Sequence, residues 1–229
     1  MAAGHARISG LKGARELPGF AVVLLAAGGS PGLLTYQGRP LVEHAARTAL
    51  ASGAAEVVVV AGGNDAEIRE RLKRLPVRVV RNSEWAEGLS SSIRTGVARL
   101  RSDPECVVVA LADQPRITPA HLWSLAERVL AGEIEIAASA YEGILGAPAA
   151  FSRSVFPKLL ALRGEAGARH LIRSAATHVE AISFARANEP AREPEKPRPI
   201  FLYVGPPPAF CPAAAWNPRA PPGDLPIAV

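Results

Sequence analysis

Short apolar runs alternate with helical patterns through the middle of the chain. The runs 21–27, 56–61 and 106–111 are rich in Val, Leu and Ala, which is typical of strands buried on both faces. Apolar residues recur at helical spacing between these runs, and a start signal, Thr118-Pro119, precedes one of the predicted helices. The pattern also predicts strands at 77–80, 134–140 and 178–184, and helical segments near 152–162 and 166–175.

This alternation, with short links, predicts an α/β protein with three layers, α/β/α, around a mostly parallel sheet. Ligands of such sheets bind beyond the carboxyl ends of the strands. We therefore expect the functional residues directly after residues 27, 80 and 111.

The two ends of the chain lack the alternation. Twelve of the 21 prolines lie between Pro190 and Pro226, and so many prolines favour extended, solvated backbone over helices or inner strands. We expect a flexible extension at 1–19, one domain at 20–184 and a disordered tail at 185–229.

Composition narrows the class of protein. The chain is 48% hydrophobic and 21% charged, as globular proteins are, and no apolar run approaches the ~18 residues of a membrane span. Residues 1–20 lack the apolar stretch of a signal peptide, and Cys106 and Cys211 indicate neither a disulfide framework nor a metal site. We therefore expect a reduced, cytoplasmic compartment and no membrane partner.

The charge distribution and the histidine spacing argue against a nucleic-acid-binding protein and against a histidine metal site. The net charge of +5 is spread along the chain, which argues against a nucleic-acid partner. The five histidines share no metal-binding spacing, and we expect them at surface or boundary positions.

A glycine turn follows the first predicted strand. Small residues let the backbone approach a ligand closely, and consecutive N–H groups can hold phosphate oxygens. The turn matches neither the P-loop nor the dinucleotide fingerprint, and a tight strand-to-helix turn alone would also need glycine. Its candidate nucleotide-binding residues are Leu25, Ala26, Ala27, Gly28, Gly29 and Ser30.

Asp113 stands directly after another predicted strand, within the segment Leu-Ala-Asp-Gln-Pro at 111–115. A carboxylate at a strand tip can hold Mg²⁺, which prefers one or two carboxylates together with substrate oxygens and waters. The alternative is that Asp113 only caps the turn.

Two further groups of polar and small residues follow. Asn82, Gly88 and Ser92 belong to a polar loop and to a predicted helix start, where unpaired N–H groups favour anions. Gly146, Pro148 and Arg169 lie in two later Gly-rich segments. Serine caps, loop-shaping Gly and Pro, and a surface arginine are the alternative interpretations.

Taken in order along the chain, these motifs resemble the MobA-like nucleotidyltransferase domain, and within it the molybdenum cofactor cytidylyltransferase group. The resemblance covers roughly residues 20–184. It rests on Leu-Ala-Ala-Gly at 25–28, Gly-Arg-Pro-Leu at 38–41, Asn82 with Gly88 and Ser90 to Ser92, Leu-Ala-Asp-Gln-Pro at 111–115, Gly146 with Pro148, and Gly-Glu-Ala-Gly-Ala-Arg at 164–169. The first and fourth motifs together are typical of the cytidylyl or adenylyl type, whereas the guanylyl branch usually has Leu-Ala-Gly-Gly.

The resemblance implies a nucleotide-diphospho-sugar-transferase-like, Rossmann-like fold and transfer of CMP or AMP from an NTP to a phosphate-bearing acceptor, such as a molybdopterin-type cofactor, with release of pyrophosphate. It implies that CTP is the favoured NTP, that the 25–28 turn lines the nucleotide and that Ser92 contacts the base. It further implies that the catalytic Asp113 binds Mg²⁺ as the cofactor. Gly146, Pro148 and Arg169 would belong to the acceptor side.

Two departures from the family pattern leave other functions open. The family usually continues the glycine turn with an Arg and a Lys, but here only Pro31 and Gly32 separate Ser30 from Leu33. The family's later acidic segment also has no counterpart after Phe184. A degenerate member that binds nucleotide without turnover is therefore one alternative, and an NAD-binding Rossmann protein is another.

Overall fold

The computed structural model describes residues 19–28, 31–141, 144–174 and 179–183. The predicted extension 1–19 and tail 185–229 lie outside these residues, except for Gly19, as do Gly29 and Ser30 of the glycine turn. Within the described ranges, no helix has the length and apolar character needed to cross a lipid bilayer.

The described residues form nine strands and six helices. The strands are β1 (Phe20–Ala26), β2 (Thr35–Tyr36), β3 (Arg39–Pro40), β4 (Glu56–Ala61), β5 (Arg78–Arg81), β6 (Cys106–Leu111), β7 (Ile136–Tyr141), β8 (Ile144–Ser152) and β9 (Val179–Ser183). The helices are α1 (Leu41–Ala51), α2 (Asp65–Leu72), α3 (Leu89–Ala98), α4 (Pro119–Leu130), α5 (Phe156–Leu160) and α6 (Arg169–Ser174).

Seven of these strands form one sheet in the order β5-β4-β1-β6-β8-β7-β9, and β2 pairs with β3 in a separate hairpin. Every neighbouring pair in the large sheet is parallel except the two pairs made by β8. The sheet is therefore mostly parallel, and this part of the fold prediction is confirmed.

Alternate side chains of β1 enter two different apolar cores, which gives the three layers. Phe20, Val22 and Leu24 pack with residues of α1, α2 and α4 on one face of the sheet. Val23 and Leu25 pack with residues of α3, α5 and α6 on the other face. This two-sided burial explains why the strand is a continuous apolar run.

Helix α3 approaches the sheet unusually closely. A Cβ atom at Gly96 would lie 2.3 Å from Cγ1 of Val23 and 3.0 Å from Cγ2 of Val60. Only glycine therefore fits at this point of the helix, where α3 packs against β1 and β4.

One strand was not predicted from the sequence. Residues 146–151, for which loop-shaping Gly and Pro were the alternative interpretation, belong to β8, which lies between β6 and β7. Pro148, which follows a cis peptide bond, lies where the β7 register shifts between Ala138 and Ser139. The pairing of β8 with β6 begins only at Ala149. Neither neighbouring strand therefore needs a hydrogen bond from the N–H that Pro148 lacks.

The histidines also need a correction. His121 of α4 is only 9% exposed, and its Nε2 lies 2.7 Å from the Ser139 hydroxyl of β7. The expectation of a surface or boundary position was wrong for this residue. The predicted cap of the same helix is confirmed, because the Thr118 hydroxyl accepts a hydrogen bond of 3.2 Å from the backbone N–H of His121.

Candidate functional site

The glycine turn and Asp113 lie at the same edge of the sheet on neighbouring strands. Leu25 of β1 pairs with Leu111 of β6, and the N–H of Ala112 donates to the carbonyl of Leu25 over 3.0 Å. Both strands therefore end together, and the chain turns of 26–28 and 112–115 start side by side.

Within the glycine turn, the side chains of Leu25, Ala26 and Ala27 are buried in the cores, so their backbone is what the turn can offer to a ligand. Gly28 is exposed, and a Cβ atom built there would meet no atom within 4 Å. The turn thus opens onto free space directly beyond β1.

Asp113 is half-buried at the tip of β6. Burial raises the pKa of its carboxyl above the usual value, although a hydrogen bond from its own backbone N–H acts in the opposite direction. A cation beside the carboxylate would favour the ionised form. Among the described residues no three His, Cys, Asp or Glu side chains form a metal cluster, so a cation here would take its other ligands from substrate and water, as Mg²⁺ commonly does.

The residues after Asp113 are tied down on both sides. The Gln114 side-chain amide donates to the carbonyl of Ala147 in β8 over 2.9 Å. Nε2 of His44, from α1, lies 2.9 Å from the carbonyl oxygen of Pro115. Sequence reasoning missed His44 because it is 71 positions away from its partner, and no local pattern links the two.

A second polar group lies where β5 ends. Asn82 is 2% exposed, and its side-chain NH₂ donates to the hydroxyls of Ser91 at 2.8 Å and Ser92 at 3.0 Å. Its carbonyl oxygen accepts the N–H of Glu84 over 2.9 Å. Asn82 therefore holds the start of α3 against the preceding loop.

Within this group, Ser92 has a hydroxyl that can still donate a hydrogen bond. Its oxygen accepts from Asn82, but no acceptor for its own hydroxyl hydrogen occurs among the described residues. The Ser92 residue as a whole is 3% exposed at the first turn of α3.

An ion-pair network joins the loop after β5 to the loop after α5. Arg94 of α3 donates to both carboxylate oxygens of Glu87, at 2.9 and 2.7 Å, and to the carbonyl of Leu162 at 2.7 Å. Glu87 also accepts the backbone N–H of Gly164 at 3.5 Å. We call Glu87, Arg94, Leu162 and Gly164 the latch. The hydrogen bonds from Arg94 are the main reason that the pKa of Glu87 falls to about 2.

Backbone contacts reinforce the latch. The Ser90 hydroxyl donates to the carbonyl of Arg163 at 3.0 Å, and the Ser90 N–H donates to that of Gly164 at 3.3 Å. Gly88 has a φ of +113°, and a Cβ atom there would lie 2.7 Å from Cα of Glu165. Gly88 is therefore required by close approach of the two loops, a role that sequence reasoning did not assign to it.

Gly146 and Pro148 lie in β8, next to a buried polar chain. The Ser139 hydroxyl donates to the carbonyl of Pro148 at 2.7 Å, so Nε2 of His121 must be the donor to Ser139. The Tyr141 hydroxyl donates to the carbonyl of Ala147 at 2.9 Å, beside the amide of Gln114. Burial lowers the pKa of His121 and raises that of Tyr141, which keeps both side chains neutral.

Arg169 begins α6, directly after the latch loop. Its Nη2 atom is buried and finds no hydrogen-bond partner within the described part of the chain. Burial also lowers the pKa of its guanidinium. A buried cationic donor without a partner is costly, and an anion placed beside it would remove that cost.

The structure therefore brings most of the predicted residues to one edge of the sheet. The 25–28 turn, Asp113 and, through Gln114, the Ala147–Pro148 segment adjoin one another. Asn82, Gly88 and Ser92 adjoin the loop that leads to Arg169. Gly29 and Ser30 lie outside the described residues.

Comparison with known proteins identifies the family of this fold. A model of the MobA-like NTP transferase domain matches residues 22–181. Nicotine blue oxidoreductase of Paenarthrobacter nicotinovorans is 35% identical over 176 residues, which cover 70% of this chain and 85% of that protein. The 3-deoxy-manno-octulosonate cytidylyltransferase of Methylococcus capsulatus is 38% identical over 114 residues, covering 47% of this chain and 44% of that enzyme.

A solved structure agrees with the sequence matches. Rv0371c of Mycobacterium tuberculosis H37Rv, crystallised as a complex with manganese, superposes with a TM-score of 0.64 at 27% identity. The superposition covers 73% of this chain and 88% of that one. The fold and the resemblance inferred from the motifs are thereby confirmed: the chain belongs to the MobA-like NTP transferase domain family.

Proposed function

We propose that this protein transfers CMP or AMP from an NTP to a phosphate-bearing acceptor of the molybdopterin type and releases pyrophosphate. The observation that carries the proposal is the pairing of β1 with β6, which starts the open glycine turn and the half-buried Asp113 side by side at the carboxyl edge. Phosphates favour exposed backbone N–H groups, and a cation favours the carboxylate, so the two features suit one metal-bridged triphosphate.

The roles of the residues follow from this arrangement. The backbone of Leu25 to Ser30 lines the triphosphate, and Ser92 donates its free hydroxyl hydrogen to the base. Asn82 and Gly88 position the loop around that hydroxyl. Asp113 holds Mg²⁺, which when bound neutralises phosphate charge and helps to align the reacting groups.

The reaction is a displacement at phosphorus. An oxygen of the acceptor phosphate forms a bond to the α-phosphorus of the NTP, while the bond from that phosphorus to the pyrophosphate oxygen breaks. Both reactants are anionic, so alignment and charge neutralisation supply most of the catalysis. Gly146 and Pro148 lie on the acceptor side, and Arg169 offers to an acceptor phosphate its Nη2, which has no partner in the described ranges.

The relatives support the choice of nucleotide and metal. Similarity to the cytidylyltransferase of Methylococcus capsulatus supports CTP as the NTP of this chain. Similarity to Rv0371c, which was crystallised with manganese, supports a divalent cation, and Mg²⁺ is the usual cation of nucleotides.

Two other functions are supported by specific observations. Because the chain lacks the Arg and Lys that usually follow the glycine turn, a member that binds nucleotide without turnover is one rival. The similarity to nicotine blue oxidoreductase over 85% of its length favours another, an oxidoreductase that uses a nicotinamide dinucleotide.

One set of assays separates the three functions. The full chain is incubated with Mg-CTP, Mg-ATP or Mg-GTP and a molybdopterin-type acceptor, and pyrophosphate is measured. We expect acceptor-dependent release, highest with CTP. Thermal stabilisation by nucleotide without release would identify the non-catalytic rival. Stabilisation by NAD(P)H alone, with acceptor-dependent loss of its absorbance, would identify the oxidoreductase.

A further inference from the structure

Trp85 is a large aromatic side chain that the site described so far does not use. It begins the short 3-10 turn Trp85–Glu87 between β5 and α3, and 40% of the residue is exposed. Large aromatic residues at ligand-binding edges that remain this exposed are candidates for stacking with a planar ligand.

The position of the indole is fixed by two glycines at the end of β4. A Cβ atom at Gly62 would lie 2.9 Å from Cγ of Trp85, and one at Gly63 would lie 3.4 Å from Cζ2. The ring therefore packs against Gly62 and Gly63, which have no side chains to displace it.

The same glycine brings Trp85 next to the nucleotide turn. The Cβ position of Gly62 lies 2.4 Å from the carbonyl oxygen of Ala27, as well as 2.9 Å from the ring. Trp85 and the turn after β1 thus both lie close to the Cβ position of Gly62. Beyond Ala27 lies Gly28, whose surroundings are open.

We propose that Trp85 is the stacking surface for the nucleobase of the NTP. This inference rests on the proposed function and adds to it the residue that holds the base. A triphosphate lying on the 25–28 turn leaves its base within reach of the neighbouring strand ends, where Trp85 is an exposed aromatic side chain of the described residues. Stacking is tolerant of base identity, so Trp85 supplies affinity and Ser92 supplies the hydrogen bond.

The experiment uses fluorescence, because a base stacked on an indole quenches its emission. In the full chain carrying W123F and W216F, Trp85 is the remaining tryptophan. We expect saturable quenching by Mg-CTP and Mg-ATP and no quenching by magnesium tripolyphosphate, which has no base. The W85F chain, which keeps the other two tryptophans, is expected to show no quenching.

Affinity provides a second readout, measured by calorimetry. Stacking contributes ~1–3 kcal/mol per base, so W85L is expected to weaken Kd for Mg-CTP by about 5- to 150-fold, whereas W85F stays within about threefold. Leu still covers Gly62 and Gly63, so the loop remains supported. Competition by tripolyphosphate should be the same in all three chains.

The outcomes distinguish this inference from the proposed function. If nucleotide binds and stabilises the protein but the Trp85 emission does not change, the stacking role is wrong and the proposed function stands. An equal loss of tripolyphosphate binding in W85L would show that Trp85 only supports the turn, which also overturns the inference. If no nucleotide binds to the wild-type chain, both proposals fail.

Discussion

At the scale of single residues, Asp113 shows how a site differs from the rest of the fold. Burial raises the pKa of its carboxyl, so the ionised form is less favourable in the folded chain than in the unfolded one. At neutral pH the residue therefore lowers stability, and a bound cation would reverse this effect. Arg169 has the same property with the opposite charge, since burial lowers its pKa.

The first prediction concerns Asp113. The change D113N removes the charge but keeps the shape, so we expect pyrophosphate release to fall by about 100-fold or more, with an unchanged or slightly higher Tm. The measurements are the release assay with Mg²⁺ and calorimetric melting.

The matched control is D103N. Asp103 is an exposed carboxylate that pairs with Arg153, away from the glycine turn, and its φ of +49° is one that Asn also adopts. Its release rate should equal that of the wild type. Normal turnover by D113N would remove Asp113 from the mechanism.

At the scale of elements, the latch makes one unit of two loops that are far apart in sequence. Helix α3 and the residue before it contact residues 162–165 through Ser90, through Arg94 and through the close approach at Gly88. The loop assigned to the nucleotide and the loop that leads to Arg169 therefore cannot move independently while Arg94 holds Glu87. We expect substrate affinity on the two sides to depend on the same ion pair.

The second prediction tests this coupling. R94A removes the fork that holds Glu87 and Leu162, so hydrogen exchange at the amides of Ser90 and Gly164 should become at least about tenfold faster. KM for both nucleotide and acceptor should rise together.

R128A is the control for this prediction. Arg128 makes an equally bidentate pair with Glu180, at 2.9 and 2.6 Å, on another part of the sheet. Exchange at Ser90 and Gly164 should stay as in the wild type in that variant. If R94A changes neither amide, the latch does not couple the loops.

At the scale of the whole described fold, the carboxyl and amino edges of the sheet differ in how their polar atoms are hydrogen-bonded. At the carboxyl edge, Nη2 of Arg169 and Oε1 of Gln114 are buried and have no hydrogen-bond partner among the residues that the structure describes. The amino edge is closed by Glu56, which begins β4, pairs with Arg78 of β5 and accepts the N–H groups of Arg101 and Ser102 at 2.8 and 3.1 Å. The amino edge thus contains a carboxylate whose hydrogen bonds and ion pair are all made within the fold.

The third prediction concerns the acid limit of stability. Desolvation raises the pKa of Glu56, but hydrogen bonds from Arg101, Arg78 and Ser102 outweigh it and bring the pKa to about 2. A depressed carboxyl pKa stabilises the fold above the unfolded value near 4.5, and the contribution is lost as pH falls towards 2. E56Q should therefore lower the free energy of unfolding by on the order of 1–2 kcal/mol at pH 7, after discounting for partial exposure.

The measurement is urea unfolding of the wild type and of E56Q between pH 2.5 and 7, a range of about two units on either side of the unfolded pKa. The difference in free energy of unfolding between the two proteins should shrink steadily below pH 4.5. E67Q serves as the control, because Glu67 makes only an exposed 3.5 Å pair with Arg71. A pH-independent difference for E56Q would show that its hydrogen bonds, not its charge, stabilise this edge.

Much of the site could be predicted from the sequence because its residues follow strands. The 25–28 turn and Asp113 directly follow the buried apolar runs of β1 and β6, and parallel strands place such residues at one edge. Trp85, His44 and the latch were not predicted, since each acts through residues distant in sequence. The hydrogen bonds that the Asn82 side chain makes with Ser91, Ser92 and the Glu84 amide were not predicted either, and its role as a nucleotide residue stays a prediction.

The sequence by itself determined the local features of this protein. Local sequence patterns predicted the buried strands β1, β4 and β6, each of which is a continuous apolar run. They also predicted α4, whose apolar residues recur at the spacing of a helix. Tertiary structure alone decided the place of β8. Gly146 and Pro148 disfavour a strand locally, but pairing with the distant β6 and the neighbouring β7 supplies the hydrogen bonds. Side chains from Gln114, Ser139 and Tyr141 satisfy the carbonyls of the irregular segment.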